Sequence, residues 1–297
     1  MMRLFLFGAG YSAQAFARRM ANLSGDGEKE RIDGTTRHAH NFPALEQAGI
    51  APHLFDGDAP ELAEPALDRL AGATHVVISI APGENGDPAL PWVDEALGRP
   101  GNTIRWIGYL STVGVYGDHG GAWVDETTPC NPVSRRSHER LAAEQAWAAL
   151  GERHGVPVAI LRLSGIYGPG RNAFLNLERG TARRIVKPDQ VFNRIHVDDI
   201  AGSLRLLAGT DAGGTFDITD DEPAPPQDVV AYAAGLMGVT PPPEIPFAQA
   251  EMTPMARSFY GENKRVSNER IKGLGYRFAF PDYRTAFSVM WREDRWR

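Results

Sequence analysis

Cysteine is almost absent. The chain has 297 residues and one cysteine, Cys130, so no disulfide can form within it. With no secretory signal in view, a lone thiol points to a reducing cytoplasm. Long apolar runs are also missing. The N-terminal run Leu4-Phe5-Leu6-Phe7 has four residues, too short for a signal-peptide core or a membrane span. Nor is there an excess of one charge sign. Lys and Arg number 31 against 37 Asp and Glu, a formal net charge of −6 with the signs mixed throughout. Without a basic face, a general nucleic-acid binder is disfavoured. Internal repeats, heptads and low-complexity tracts are lacking. What remains is an ordinary soluble composition, 42% hydrophobic and 23% charged, in a length that suits one large or two modest domains.

What is present is concentrated at the start, in Arg3–Ala21. The apolar run stops at Gly8-Ala9-Gly10, and Ala13, Phe16, Ala17 and Met20 then recur at helical spacing. The order is buried strand, glycine turn, amphipathic helix, and the glycines with Ala13 read G-x-G-x-x-A. Each small residue has a physical role in binding a dinucleotide. Gly8 allows the tight turn, Gly10 leaves no side chain between the backbone and a pyrophosphate, and Ala13 lets the helix sit close on the strand. The helix N-terminus at Tyr11-Ser12 offers free N–H groups and a partial positive charge to phosphate.

Further along, Asn22–Glu30 reads as a polar surface loop and Arg31–Thr36 as a second strand. At the end of such a strand an acid would hold the adenosine 2′-hydroxyl, whereas an arginine would accommodate a 2′-phosphate. The sequence there is Thr35-Thr36-Arg37, and the one nearby acid, Asp33, lies inside the strand. NADP is therefore expected in preference to NAD, with Thr36 and Arg37 at its adenosine end. Phe42–Ala48 reads as a helix, Leu54–Asp56 as a third strand, and Glu61–Leu70 as a helix. Thr74–Ile80 is a β-branched run fit for a strand buried on both faces. Asp56 closes the third strand, and Ala81-Pro82 ends the fourth, at the level where a cofactor would lie. Ile104–Leu110 and Val156–Leu163 are the fifth and sixth strands. Strands alternating with helices predict an α/β fold: a Rossmann-type doubly wound parallel sheet.

Beyond residue 165 the texture changes. Gly168-Pro169-Gly170 breaks the chain. Short strands are expected at Ile195–Val197 and Thr215–Ile218, and helices at Asp199–Leu207, Gln227–Met237, Asn268–Lys272 and Tyr283–Trp291. This half is too broken for a second sheet domain. It reads as a smaller C-terminal cap of residues 166–190 and 219–297, over a dinucleotide-binding domain of residues 1–165 to which 191–218 contribute.

Three further stretches carry a resemblance. Ser111-Thr112-Val113-Gly114-Val115-Tyr116-Gly117 follows the fifth strand, and Ile166-Tyr167-Gly168-Pro169-Gly170 the sixth. His196-Val197-Asp198-Asp199-Ile200-Ala201 comes later. In order and spacing the whole chain resembles the extended short-chain dehydrogenase/reductase superfamily, in particular the NAD-dependent epimerase/dehydratase family. The resemblance implies a Ser or Thr after the fifth strand that hydrogen-bonds the substrate oxygen, and Thr112, with Ser111 beside it, matches that position. It also implies a Tyr-x-x-x-Lys, with Tyr as general acid/base and Lys lowering its pKa and holding the ribose. The Leu141-Ala142-Ala143-Glu144 stretch that commonly follows that Lys is present. Yet Arg140 stands in the Lys position and Arg136 in the Tyr position. A guanidinium cannot exchange a proton near neutrality, so this pair cannot do the work of the phenol.

The remaining candidates are single side chains and one group of cations. Tyr109, Tyr116 and Tyr167 sit near strand ends, where each could present a phenol or pack. His196 is a candidate substrate contact. Asp198-Asp199 lacks companions at metal-ligand spacing, so no metal is expected, and Asp199 reads as the cap of the helix that follows. Arg171, Arg183, Arg184, Lys187 and Arg194 place five cations within 24 positions, which suggests either an anionic substrate or a solvated basic face. The resembled family contacts nucleotide-sugars in this region. No G-x-S-x-G elbow supports serine-type hydrolysis. Two functions follow. One is an NADP-dependent oxidoreductase, epimerase or dehydratase on a sugar-like or anionic small molecule. The other is an NADP(H)-binding sensor or regulatory protein without turnover. The expected partner is a small molecule rather than a nucleic acid or membrane, and a homodimer is left open.

Overall fold

The computed structural model of the chain describes residues 2–21, 31–57 and 61–297. The expected Asn22–Glu30 loop lies outside the described residues. In chain order the elements begin with β1 (Arg3–Phe7), α1 (Tyr11–Ala21), β2 (Arg31–Thr36), α2 (Phe42–Gln47), β3 (Ala51–Leu54), α3 (Glu64–Ala71), β4 (His75–Ile78), α4 (Leu90–Gly98) and β5 (Trp106–Thr112). They continue with β6 (Trp123–Val124), α5 (Arg135–His154), β7 (Val158–Leu163), β8 (Gly165–Tyr167), α6 (Ala173–Glu178), β9 (Arg184–Val186), β10 (Arg194–His196) and α7 (Val197–Gly209). The last are β11 (Gly214–Ile218), α8 (Pro226–Met237), β12 (Glu244–Pro246), α9 (Pro254–Phe259), β13 (Arg265–Val266), α10 (Glu269–Gly273) and α11 (Tyr283–Arg292).

The described strands include a seven-stranded sheet in the order β11-β7-β5-β4-β1-β2-β3. The pairs β1–β2, β1–β4, β2–β3 and β4–β5 run parallel. Because helices cover both faces of such a sheet, its strands need apolar residues in succession rather than alternation. Leu4–Phe7 and His75–Ile78 are accordingly buried without a break. Phe5, Phe7, Val76, Ile78, Ile107 and Tyr109 form one cluster with Leu67, Leu70, Val93 and Trp147 from α3, α4 and α5. At about 25 cal/mol per Å² of apolar surface, such fully buried side chains supply most of the drive to fold.

The chain divides into two compact units. The first comprises Met1–Thr112, Arg135–Arg162 and Ile200–Phe216; the second comprises Val113–Ser134, Leu163–Asp199 and Asp217–Arg297. The expected domain boundaries differ from this division chiefly in two segments, with shifts of two or three residues at 163–165 and 217–218 besides. Segment 113–134 belongs with the second unit, because β6 pairs in parallel with β13. Residues 191–199 belong there too, since β10 pairs with β8 and Phe192 bridges Ala224. Apart from the last residues of β7 and β11, the described strands of the second unit form two-stranded pieces, β10–β8, β12–β9 and β13–β6. Its own apolar cluster includes Tyr167, Phe174, Val229, Tyr283, Phe287 and Trp296.

Three local expectations are corrected. The third strand is Ala51–Leu54, not Leu54–Asp56, because its register against β2 runs from Asp33↔Ala51 to Thr36↔Leu54. The helix expected from Glu61 starts at Glu64, with its proline in the first turn, where a missing N–H costs nothing. Asp199 does not cap α7, which begins two residues earlier at Val197. Its buried carboxylate instead accepts from the backbone N–H of Ala279 (2.8 Å) and Phe280 (3.0 Å) and the Tyr276 hydroxyl (2.8 Å).

Candidate functional site

The glycine turn of the first unit is built as a tight, one-sided cradle. Gly8 has φ +82°, and a Cβ on it would lie 2.6 Å from Ile80 Cγ2. Only glycine avoids both the left-handed strain and that clash. Its N–H donates to Thr35 Oγ1 at 2.8 Å, and the Ala9 N–H donates to the Thr35 carbonyl at 2.8 Å, so β2 holds the turn. Gly10 is the opposite case. It is exposed, and a Cβ there would meet nothing within 4 Å. The backbone at Gly10 therefore faces open space, in the place a pyrophosphate would need. Ala13 and Ser12 are buried in the first turn of α1, and Tyr11 is half-buried. Among the described residues, this turn fits a dinucleotide.

At the end of β2, Thr36 is half-buried and its Oγ1 accepts from Asn41 Nδ2 at 3.0 Å. Arg37 is exposed. Asp33 is buried, with Arg31 Nε at 3.0 Å and His53 Nε2 at 2.9 Å. Burial raises its pKa, but these two partners outweigh that and hold it below the usual carboxylate range. The nearby acid is thus committed within the β2–β3 ladder. Asp56 is half-buried after β3; beyond β4, Ala81 is exposed and Pro82 buried.

The positions expected to move protons hold other chemistry. Arg140, on the second turn of α5, donates from Nη1 to the Leu110 carbonyl at 2.7 Å, the Tyr109 hydroxyl at 3.2 Å and the Ile80 carbonyl at 3.4 Å. It thereby ties the carboxyl end of β5 to the chain just beyond β4. Arg136, one turn earlier, is exposed. Ser111 is buried and donates to Glu144 Oε1 at 2.5 Å. Glu144 also receives a bidentate contact from Arg162, with Nη2 at 2.7 Å and Nε at 3.2 Å. The Ser111 hydroxyl is thus spent on a buried carboxylate rather than presented to a ligand. Thr112, half-buried at the last position of β5, is the other hydroxyl there. Composition and periodicity do not reveal the Glu144–Arg162 pair. A signal was available all the same: Arg162 is a lone charge within the apolar run Val158–Leu163, and such a charge needs a partner.

The phenols near strand ends are packed away. Tyr109 is buried, and burial pushes its phenol up, Arg140 offsetting only part of this. The buried Tyr116 hydroxyl donates to the carboxylate of Asp217, 2.8 Å from Oδ2. Tyr167 stacks on Phe287 and meets His196 edge-on, and its buried hydroxyl has no partner among the described residues. His196 is buried against Phe280, with Nδ1 accepting the Asp198 N–H at 3.2 Å. Burial pushes its pKa down to about 4. Of the five expected cations, four are tied to carbonyls. Arg194 donates to those of Phe192 and Ala224, Arg183 to that of Glu251, and Lys187 to that of Tyr260; Arg184 donates to that of Pro242 and pairs with Glu244. Arg171 is exposed.

A parallel α/β sheet opened by this strand, turn and helix defines the Rossmann-type dinucleotide-binding class. The chain belongs, more narrowly, to the NAD dependent epimerase/dehydratase family, whose model matches residues 102–218. It is 31% identical over 267 residues to Protein YeeZ of Escherichia coli (strain K12), covering 85% of this chain and 88% of that protein. A solved structure from Silicibacter pomeroyi DSS, of a functionally unknown conserved protein, is 44% identical with TM-score 0.87 over 99% of both chains. Two solved structures share the fold alone. The human epimerase family protein SDR39U1 with NADPH is 17% identical, with TM-score 0.75 over 98% of both chains. The dTDP-glucose 4,6-dehydratase of Bacillus anthracis str. Ames with NAD is 18% identical, with TM-score 0.75 over 99% of this chain and 97% of that one. Among the described residues, no helix is long and apolar enough to cross a membrane.

Proposed function

We propose that this chain binds NADP(H) and that the family's Tyr–Lys proton relay has been replaced by a guanidinium brace. One observation carries the reading: Arg140, in the Lys position, is held by the Leu110 carbonyl at 2.7 Å and the Tyr109 hydroxyl at 3.2 Å. A guanidinium keeps its proton at neutral pH, so Arg140 can brace or attract an anion but cannot pass a proton on. Gly8, Gly10 and the N-terminus of α1 would hold the pyrophosphate. Thr36 and Arg37 would take the adenosine 2′-phosphate, since Asp33 is already paired with Arg31 and His53. The neighbouring folds solved with NADPH and with NAD support a nicotinamide cofactor, and Arg37 favours the phosphorylated form. When bound, the cofactor would supply hydride. A positioned acid/base typically contributes about 10²–10⁴-fold to rate, so ordinary ketone reduction by this chain is feeble. In this reading the protein serves as an NADP(H)-responsive sensor or regulatory partner.

The exposure of Arg136 and Arg171 and the position of Thr112 favour a second reading, an oxidoreductase, epimerase or dehydratase acting on an anionic or sugar-like small molecule. A carbonyl-reduction panel with NADPH, run on the parent and on Arg136→Tyr/Arg140→Lys, separates the two. Feeble turnover by the parent with a gain in the variant supports the braced-site reading. Brisk turnover by the parent that the variant loses would refute it.

A further inference from the structure

A cavity of about 440 Å³ opens within the second unit. Its walls come from β6, from the turn after β11, and from β13 with the start of α10. Trp123 stands at its edge with 61% of its surface exposed, while Val124 and Val266 are buried behind it. The other lining groups are polar. Asp125, Asp220, Asp221 and Glu269 bring four carboxyl groups against the single ammonium of Lys272.

Two observations say what such a site takes. The first is Lys272 itself, whose Nζ sits 2.8 Å from Asp221 Oδ1 and 3.6 Å from Glu269 Oε1. A primary ammonium already rests between two of these carboxylates. The second is Asp220, which lines the same cavity. It is 1% exposed, and its Oδ2 has no hydrogen-bond partner among the described residues. A buried carboxyl oxygen left without a hydrogen-bond partner is costly unless a ligand supplies one. Asp125 does not share this need, because Thr127 and Thr128 satisfy it. No three acidic groups among the described residues converge as metal ligands. The acids are spread around a space sized for an organic molecule. An exposed indole beside carboxylates attracts an organic cation, by its ring face and by charge.

We propose that this cavity binds a protonated primary amine on an organic body, with the ammonium directed to Asp220 and the carbon chain against Trp123. Burial raises the Asp220 carboxyl well above the usual range, Arg194 opposing and Asp221 and Glu222 reinforcing that shift. An arriving ammonium stabilises the ionised form, so binding expels a proton.

The test is calorimetry of the full-length chain with putrescine, acetyl-lysine-amide and 1,4-butanediol, each in two buffers of different ionisation enthalpy. Putrescine and acetyl-lysine-amide represent a free amine and a peptide side chain; the tighter binder identifies the source. The diol should not bind. Trp123→Ala should weaken amine binding about three- to fivefold, the loss of one exposed cation–π contact. Lys272→Ala, which removes the competing ammonium, should tighten it by a similar factor. Asp220→Asn should abolish the buffer-dependent heat, with folding checked by circular dichroism. Because Trp123 and Lys272 are partly exposed, their variants keep the test decisive even if Asp220→Asn fails to fold. No saturable binding of either amine, equal binding of the diol, or unchanged affinity in both Trp123→Ala and Lys272→Ala would overturn the proposal.

Discussion

Two glycines of one turn should fail in opposite ways. Gly8 has φ +82°, and an added Cβ would lie 2.6 Å from Ile80 Cγ2 and 3.1 Å from the Ile80 nitrogen. Left-handed backbone at a residue with a Cβ costs about 1–2 kcal/mol, and overpacking of a tight contact costs about 1–3 kcal/mol. Gly8→Ala should therefore destabilise the protein by about 2–5 kcal/mol. At Gly10 nothing lies within 4 Å of the added atom. Gly10→Val should leave stability within about 0.5 kcal/mol, as for surface changes generally. What it removes is access to the backbone. If a pyrophosphate loses two charge-assisted hydrogen bonds of about 1.5–3 kcal/mol each, NADPH affinity falls by at least about a hundredfold. Urea denaturation followed by circular dichroism measures the first effect, and NADPH titration by cofactor fluorescence the second. A Gly10→Val protein that binds NADPH like the parent would show that the dinucleotide does not cross this turn. A Gly8→Ala protein as stable as the parent would show that the contact with Ile80 is not what shapes it.

Arg37→Ala should weaken NADPH about tenfold to a hundredfold while changing NADH little, since one charge-assisted contact contributes roughly 1.5–3 kcal/mol; equal affinities of the parent for the two cofactors, measured by calorimetry, would end that assignment. Glu144→Gln leaves Arg162 with a buried, uncompensated charge and should cost about 3–5 kcal/mol, whereas Glu144→Met/Arg162→Met should recover much of the loss. Denaturation midpoints decide this, and a double variant no better than the single one would argue against the pair as the cause. Burial lowers the His196 pKa to about 4 from 6.5, so the fold holds the ring neutral and the unfolded chain binds the proton first. The stabilisation is complete above pH 6.5 and falls away as the pH drops toward 4, by about 3 kcal/mol in total. His196→Asn, whose Oδ1 can replace Nδ1 as acceptor, should flatten stability across that window. A variant with the parent's pH profile would place the acid sensitivity elsewhere.

The sheet was legible because its physics is local. Runs such as Leu4–Phe7 and Thr74–Ile80 are apolar without alternation, and glycine, proline and helical spacing separate them. The replacement of Tyr and Lys by Arg136 and Arg140 was legible too, since it needs only identity and spacing. What Arg140 does instead was not, because its acceptors at Ile80 and Leu110 lie 60 and 30 positions away. The same distance in sequence hid the assignment of 113–134. Its strand is two residues long, Trp123–Val124, and its partner is Arg265–Val266; no window around either stretch contains the other. Asp199 misled for a different reason. An acid at the start of an apolar helical pattern is usually a cap, but this one answers to two backbone donors near residue 280.

The first unit takes its last segment, Ile200–Phe216, from beyond the second unit's Leu163–Asp199, and β11 lies at the edge of the sheet beside β7. That arrangement has a consequence during synthesis. By Leu163 the ribosome has delivered every strand of the sheet except β11, which begins about fifty residues later at Gly214. At roughly 5–20 residues per second the nascent sheet waits about 3–10 s before that strand arrives. Until then the outer side of β7 is an open row of backbone donors and acceptors, the kind of edge on which chains pair with the wrong neighbour. Fragments cut near residue 165 would hold that edge open permanently, and low yield or aggregation of such pieces would reflect an unfinished sheet rather than a faulty core.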